Sequence, residues 1–100
     1  CCMDIEFVQH GIRFVASRNK AQSNLRKHGV SFEQAAEAFF DPFLKIIDAS
    51  RRDETRDAMI GRDDIGRLLF VVHLLFEDDS IRLISARKAT REERLFYENE

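Results

Sequence analysis

The sequence predicts an α+β fold, an antiparallel sheet of about four to five strands with two N-terminal helices and one C-terminal helix packed on one side. Three observations predict it. Helix caps and helical apolar spacing mark two segments before Pro42 and one after Thr90. Between them the pattern changes to short β-prone runs broken by acidic or glycine-containing turns. Those runs are joined closely enough that consecutive strands pair antiparallel.

The chain opens with a β-prone stretch at Asp4–Gln9, which Ile12–Val15 continues across His10-Gly11 as a first hairpin or an edge strand. Ser17 is an N-cap for a helix over Arg18–His28. Gly29 follows as its stop, and Lys27 and His28 sit where cations suit the helix dipole. Ser31 and Gln34 form a capping box, and Phe32, Ala35, Ala36 and Phe39 give the second helix one apolar face. Asp41-Pro42 ends it, because proline pushes the preceding residue out of the helical region. Strands are expected at Phe43–Asp48 and Asp57–Arg62, separated by a polar loop at Ala49–Arg56. After a turn at Asp63–Gly66 comes the long apolar strand Arg67–Phe76, whose composition implies a central position covered on both faces. Glu77–Ser80 turns the chain into Ile81–Lys88. Thr90 and Glu93 form another capping box, opening a last helix that runs to about Glu98.

A chain of 100 residues, 44% hydrophobic and 34% charged, reads as one globular domain over 1–100, with residues 1–3 incidental to it. Cys1 and Cys2 are adjacent, which disfavours a disulfide, and no other cysteine accompanies them. The longest apolar run, Leu68–Phe76, is too short to span a bilayer. No charged segment precedes an apolar one at the N-terminus, so a cytoplasmic location is expected. A net charge of −2 excludes a generic nucleic-acid coat, although basic residues dominate the first third of the chain and acids collect at turns.

The residues able to carry chemistry lie mostly in Ile81–Arg94. Arg87 and Lys88 end a strand beside the start of a helix, on opposite faces by strand alternation. Arginine presents a planar fork suited to phosphate. Arg91 and Arg94 lie one turn apart on the helix, where pairing with Glu92, Glu93 or Glu98 competes with a binding role. Arg62 and Arg67 flank a turn at one end of the sheet. His73 interrupts the apolar strand, either as a hydrogen-bonded core residue or as a general acid or base. The four glycines are scattered, so no phosphate-cradling loop is present, and the acid pairs resemble solvated turns more than a metal site.

Four blocks carry a family resemblance: Asn24 through Phe32, Phe40-Asp41-Pro42, Gly66-Arg67-Leu68-Leu69, and Ile84 through Thr90 with Glu93, Arg94 and Tyr97. Together they resemble the BrnT toxin family over nearly the whole chain from about Phe14. The resemblance implies a RelE-like fold and a toxin of a type II toxin–antitoxin pair that cleaves RNA without a metal or cofactor and so inhibits translation. It implies an mRNA substrate, and a BrnA-type DNA-binding antitoxin as the link to operator DNA. The edges of a small sheet leave room for a dimer within that complex. Carried onto this chain, the match falls most strongly on Arg87, with Lys88 beside it and Arg62 and Arg67 following as flanking basic groups. Arg87, Lys88 and Arg62, together with His73 from its place in the apolar strand, make up the candidate catalytic set. Arg67, Arg82, Lys27, His28, Arg91 and Arg94 are the candidate RNA-contacting residues. The chain departs from the family's F-x-W-D-x-x-K pattern, having Ala16 and Ser17 where relatives carry tryptophan and aspartate. That loss of a packing or stacking group leaves an alternative, a weak or inactive homologue acting as a co-repressor module.

Overall fold

The computed structural model describes residues 4–48 and 57–99. Strands β1 (Asp4–Gln9) and β2 (Ile12–Ser17) lead directly into helices α1 (Arg18–His28) and α2 (Phe32–Ala38). Strands β3 (Lys45–Asp48), β4 (Asp57–Arg62), β5 (Leu68–Leu75) and β6 (Ile81–Lys88) follow, and helix α3 (Arg91–Glu98) closes the fold. The polar loop expected at Ala49–Arg56 and the incidental residues 1–3 lie outside the described residues.

All described strands join one six-stranded sheet in the order β1-β2-β6-β5-β4-β3. There is a strand more than expected, because Ile12–Ser17 pairs along the full length of Asp4–Gln9. The hairpin closes through His10 (φ 51°) and Gly11 (φ 82°), a two-residue turn with positive φ at both positions, which suits the twist of paired strands. The sheet is antiparallel except where β2 meets β6, which pair in parallel through Phe14–Ile81 and Val15–Arg82. β2 runs straight into α1, so the chain crosses over before it returns beside β2.

Each expected cap forms. Ser17 accepts from the Lys20 amide, Gly29 closes α1 in the left-handed region, and both capping boxes are complete. The main core lies between the sheet and α1–α2, where Phe14, Phe32, Met59, Leu69, Val71 and Leu83 are fully buried. Each such side chain contributes about 1.5–3 kcal/mol of burial. Gly61 lets α2 approach the sheet closely: a Cβ there would lie 2.5 Å from the Ala38 carbonyl oxygen.

The helices do not all share one side. Strand alternation turns Ile60, Leu68 and Phe70 away from the main core, and Tyr97 of α3 packs against them on the opposite face. Both sets of apolar side chains on β5 therefore find cover at its beginning. Further along, Val72 and Leu74 are only half-buried and Leu75 is exposed, so cover on both faces holds for part of the strand.

One polar side chain completes the sheet where β2 stops. Asn24 of α1 accepts from the Ala86 amide at 3.0 Å and donates to the Ala86 carbonyl at 2.8 Å, the two bonds a neighbouring strand would make. It also donates to the Val30 carbonyl at 3.0 Å. Replacing Asn24 with alanine strands these buried backbone groups, at an expected cost of about 2–4 kcal/mol. Urea denaturation of Asn24→Ala measures it, and a loss below about 0.5 kcal/mol would contradict this role.

Candidate functional site

Arg87 stands opposite Phe70 in the β5–β6 register, and its guanidinium lies 4.3 Å from that ring's centroid. The turn into α3 brings Glu93 back onto it. The Glu93 carboxylate takes one hydrogen bond from Nη1 and one from Nη2, both 2.8 Å. Nη1 also donates to the Lys88 carbonyl at 3.2 Å. Three of the five N–H donors are thereby occupied, leaving Nε–H and one Nη2–H as the guanidinium's other fork among the described residues. The Arg87 side chain is 35% exposed, so the guanidinium is not sealed inside the fold.

Glu93 serves two structures at once, since it also accepts from the Thr90 amide at 2.8 Å in the capping box. The Arg87 hydrogen bonds lead in holding its carboxyl below the usual range, against an opposing contribution from burial. Reciprocally, hydrogen bonding to Glu93 raises the Arg87 pKa, so the guanidinium stays charged. Lys88, one residue on, is exposed and points to the other face of the strand.

The structure distributes the remaining candidates. Arg62 shares Arg87's sheet face but lies over the Tyr97 ring at 5.5 Å and donates to the Gly66 carbonyl. Tyr97 donates to Asp41 Oδ2 at 2.5 Å, and the Arg62 amide donates to the same oxygen. Burial works against ionisation of Asp41, but these bonds, another from the Phe43 amide and the Arg62 charge together hold its pKa low. Arg67 turns to the opposite side, where it pairs with the buried Asp63 carboxylate and donates to Gln34 and Gly29. The turn flanked by Arg62 and Arg67 therefore sends them to separate tasks.

His73 is not brought to Arg87. It is 5% exposed on the α2-covered face, packed edge-on against Phe39, and burial lowers its pKa. Among the described residues its Nδ1 has no hydrogen-bond partner, so neither sequence expectation describes it fully: it is a core histidine, but one whose Nδ1 none of these residues satisfies. The β-bulge between Val72 and His73 puts Leu83 opposite it and leaves Ile84 out of the β5 register. Arg82 pairs with Asp4, and Arg94 with Glu98, while Arg91 is exposed. Lys27 and His28 belong to a separate groove of about 270 Å³, formed with Lys20 and Ser23 of α1 and with Ile84 and Ser85 of β6.

The sequence marked Glu93 as a cap and as a partner for Arg91 or Arg94, not for Arg87, and did not single out Phe70, Asp41, Lys20, Ser23 or Ser85 for the site. For Glu93 a signal existed: a carboxylate just past a strand-to-helix turn can fold back onto the cation before it. Ala16, at the place of the family tryptophan, is fully buried in the main core. Among the described residues no three His, Cys, Asp or Glu side chains are grouped as metal ligands, and no helix is long and apolar enough to cross a membrane.

The sheet, the paired N-terminal helices and the helix folding back from β6 define a fold shared with a solved toxin structure. The 1.1 Å crystal structure of the Brucella abortus ribonuclease toxin, BrnT, matches with a TM-score of 0.60 at 22% identity, covering 76% of this chain and 94% of that one. The model of the family described as ribonuclease toxin, BrnT, of type II toxin–antitoxin system matches residues 17–93, and the chain belongs to that family. An antitoxin partner goes with membership of such a system. No curated protein matches the chain.

The depressed carboxyl pKa values make acid stability a test of this geometry. A carboxylate held low in the folded chain contributes stability that is present above its unfolded pKa of about 4 and lost as pH falls through the folded value. The urea midpoint is expected to fall modestly as pH drops below about 6.5, where the unfolded chain protonates His73 and the folded chain resists it, and to fall further below about pH 4 as the carboxyls held low take up protons. Glu93→Gln should flatten part of that drop, and an identical pH profile in this variant would contradict the assignment.

Proposed function

We propose that this chain is a metal-independent endoribonuclease that inhibits translation by cleaving mRNA, and that a BrnA-type DNA-binding antitoxin neutralises it. Family membership supports the reaction class. The observation that carries the site is the second fork of Arg87, unoccupied among the described residues on a guanidinium fixed by Phe70 and Glu93. A fork held in this way meets a phosphate with little rotamer freedom left to lose.

In the proposed reaction a ribose 2′-hydroxyl loses its proton to solvent as its oxygen attacks the adjacent phosphorus, and the bond to the 5′-oxygen breaks as that oxygen takes a proton from solvent, leaving a cyclic phosphate and a 5′-hydroxyl. Negative charge grows on the non-bridging oxygens as the attack proceeds, and Arg87 donates to them. Glu93 acts as a positioning residue through Arg87. Exposed Lys88 adds positive charge at the strand end. Arg62, engaged with Tyr97 and Gly66, supports α3 from beneath, and His73 remains in the core.

Purified protein in EDTA should cleave a synthetic mRNA, free or ribosome-bound. Arg87→Ala should lower that rate by about 100-fold or more while circular dichroism shows an intact fold. Cleavage at the unaltered rate in this variant, or cleavage abolished by EDTA, would overturn the proposal. The co-repressor alternative draws on the Glu93 grip, which offsets the Arg87 charge. It predicts no cleavage of either substrate together with tighter operator binding by the antitoxin when this chain is present.

A further inference from the structure

Helix α1 is unusual in charge. Its eleven residues include Arg18, Lys20, Arg26, Lys27 and His28 and no acid, in a chain whose net charge is −2. A solvated surface helix in an acidic protein ordinarily mixes both signs. Lys20, Ser23, Lys27 and His28 recur at helical spacing and therefore lie along one stripe. That stripe forms one wall of the 270 Å³ groove, and Ile84 and Ser85 of β6 form the other.

The groove is registered to the proposed reaction site by the fold itself. Ser85 stands opposite Val72 and Arg87 opposite Phe70, so the two share a sheet face, two residues or about 7 Å apart along the strand. Ala86 between them is bound on both its amide and its carbonyl by Asn24, itself part of the groove lining. The helix cannot slide along the strand without breaking those bonds. The cationic stripe thus keeps a set distance from Arg87.

From this placement we infer that the α1–β6 groove is a second phosphate site, which holds the RNA backbone next to the phosphodiester at Arg87. The inference rests on the ribonuclease reading and extends it from one contact to a strand path. Lys20 and Lys27 neutralise backbone charge, while the Ser23 and Ser85 hydroxyls and His28 donate hydrogen bonds. None of these groups reads a base edge, so the groove sets register and affinity without sequence preference. The lysines are exposed with hydrated heads, and the gain on binding is release of counterions from the RNA, which makes it dependent on salt.

The test uses the full chain and a 2′-O-methyl oligoribonucleotide, which lacks the attacking hydroxyl and so binds without being cut. Affinity is measured by fluorescence anisotropy from 50 to 300 mM salt. The double variant Lys20→Gln/Lys27→Gln should bind roughly tenfold or more weakly at 0.1 M salt, with a log–log salt slope shallower by about 1.4. Arg18→Gln/Arg26→Gln removes the same charge from the same helix outside the groove lining, and should change the slope by less than half as much. Equal losses in the two doubles would assign the effect to the general field of the helix and overturn the groove. So would unchanged RNA affinity in the lysine double, including the case in which affinity for the antitoxin falls instead, marking the groove as a protein contact. If the unsubstituted chain neither binds the probe nor cleaves ordinary RNA, the ribonuclease reading itself fails, which is a different result from either of these.

Discussion

β6 leaves its parallel pairing with β2 after Arg82, and the backbone of Ala86 is completed by a single side chain, that of Asn24. A buried strand edge with unpaired amide and carbonyl groups costs stability, and a helix cannot offer a backbone ladder to satisfy it. Asparagine can, because its carboxamide carries one acceptor and two donors in the geometry of a peptide group. With that link in place α1 stands as a seventh element of the sheet's middle, wedged beside β6. Its neighbour on the other side, β5, fixes Arg87 over Phe70.

Around this axis the two faces of the sheet divide the work. One is a conventional core, in which phenylalanines from β1, β2 and the end of α2 meet the buried residues of β5 and β6. The other is only partly covered, by α3, and carries Arg62, Arg82 and Arg87. α3 is held by polar as well as apolar contacts: Tyr97 reaches Asp41, Lys45 reaches the carbonyls of Phe96 and Asn99, and Glu93 grips Arg87. Glu93 matters twice, since the same carboxylate caps α3 and aims the guanidinium. A helix cap, ordinarily a matter of local stability, here also decides where a cation points.

Several cations that the linear sequence groups together are put to different ends. Arg62 and Arg67 flank one turn, yet one lies over an aromatic ring and the other is consumed by Asp63 and Gln34. Arg67 illustrates how a surface-looking arginine becomes structural: its partner carboxylate is fully buried, and the pair fixes the β4–β5 turn against the start of α2. α1 differs in composition, carrying Arg18, Lys20, Arg26, Lys27 and His28 with no acid of its own.

By itself the sequence determined the local grammar of this protein. Ser17, Gly29, Ser31 and Thr90 set helix ends, because a cap is decided by residues three or four positions apart. Apolar runs set the strands, and the bounds read for α1, β4 and β6 coincide with the structure. Arg87 was legible as a junction residue, and the quoted motif blocks were specific enough to indicate the family. Tertiary structure alone decided which face α3 covers, that β2 joins β6 in parallel, and that His73 turns inward beneath Phe39. It also decided that Lys20, Lys27 and Ser85, far apart in the chain, share a groove. Such outcomes depend on competition between long-range pairings for the same buried surface, and residue order does not encode that competition locally.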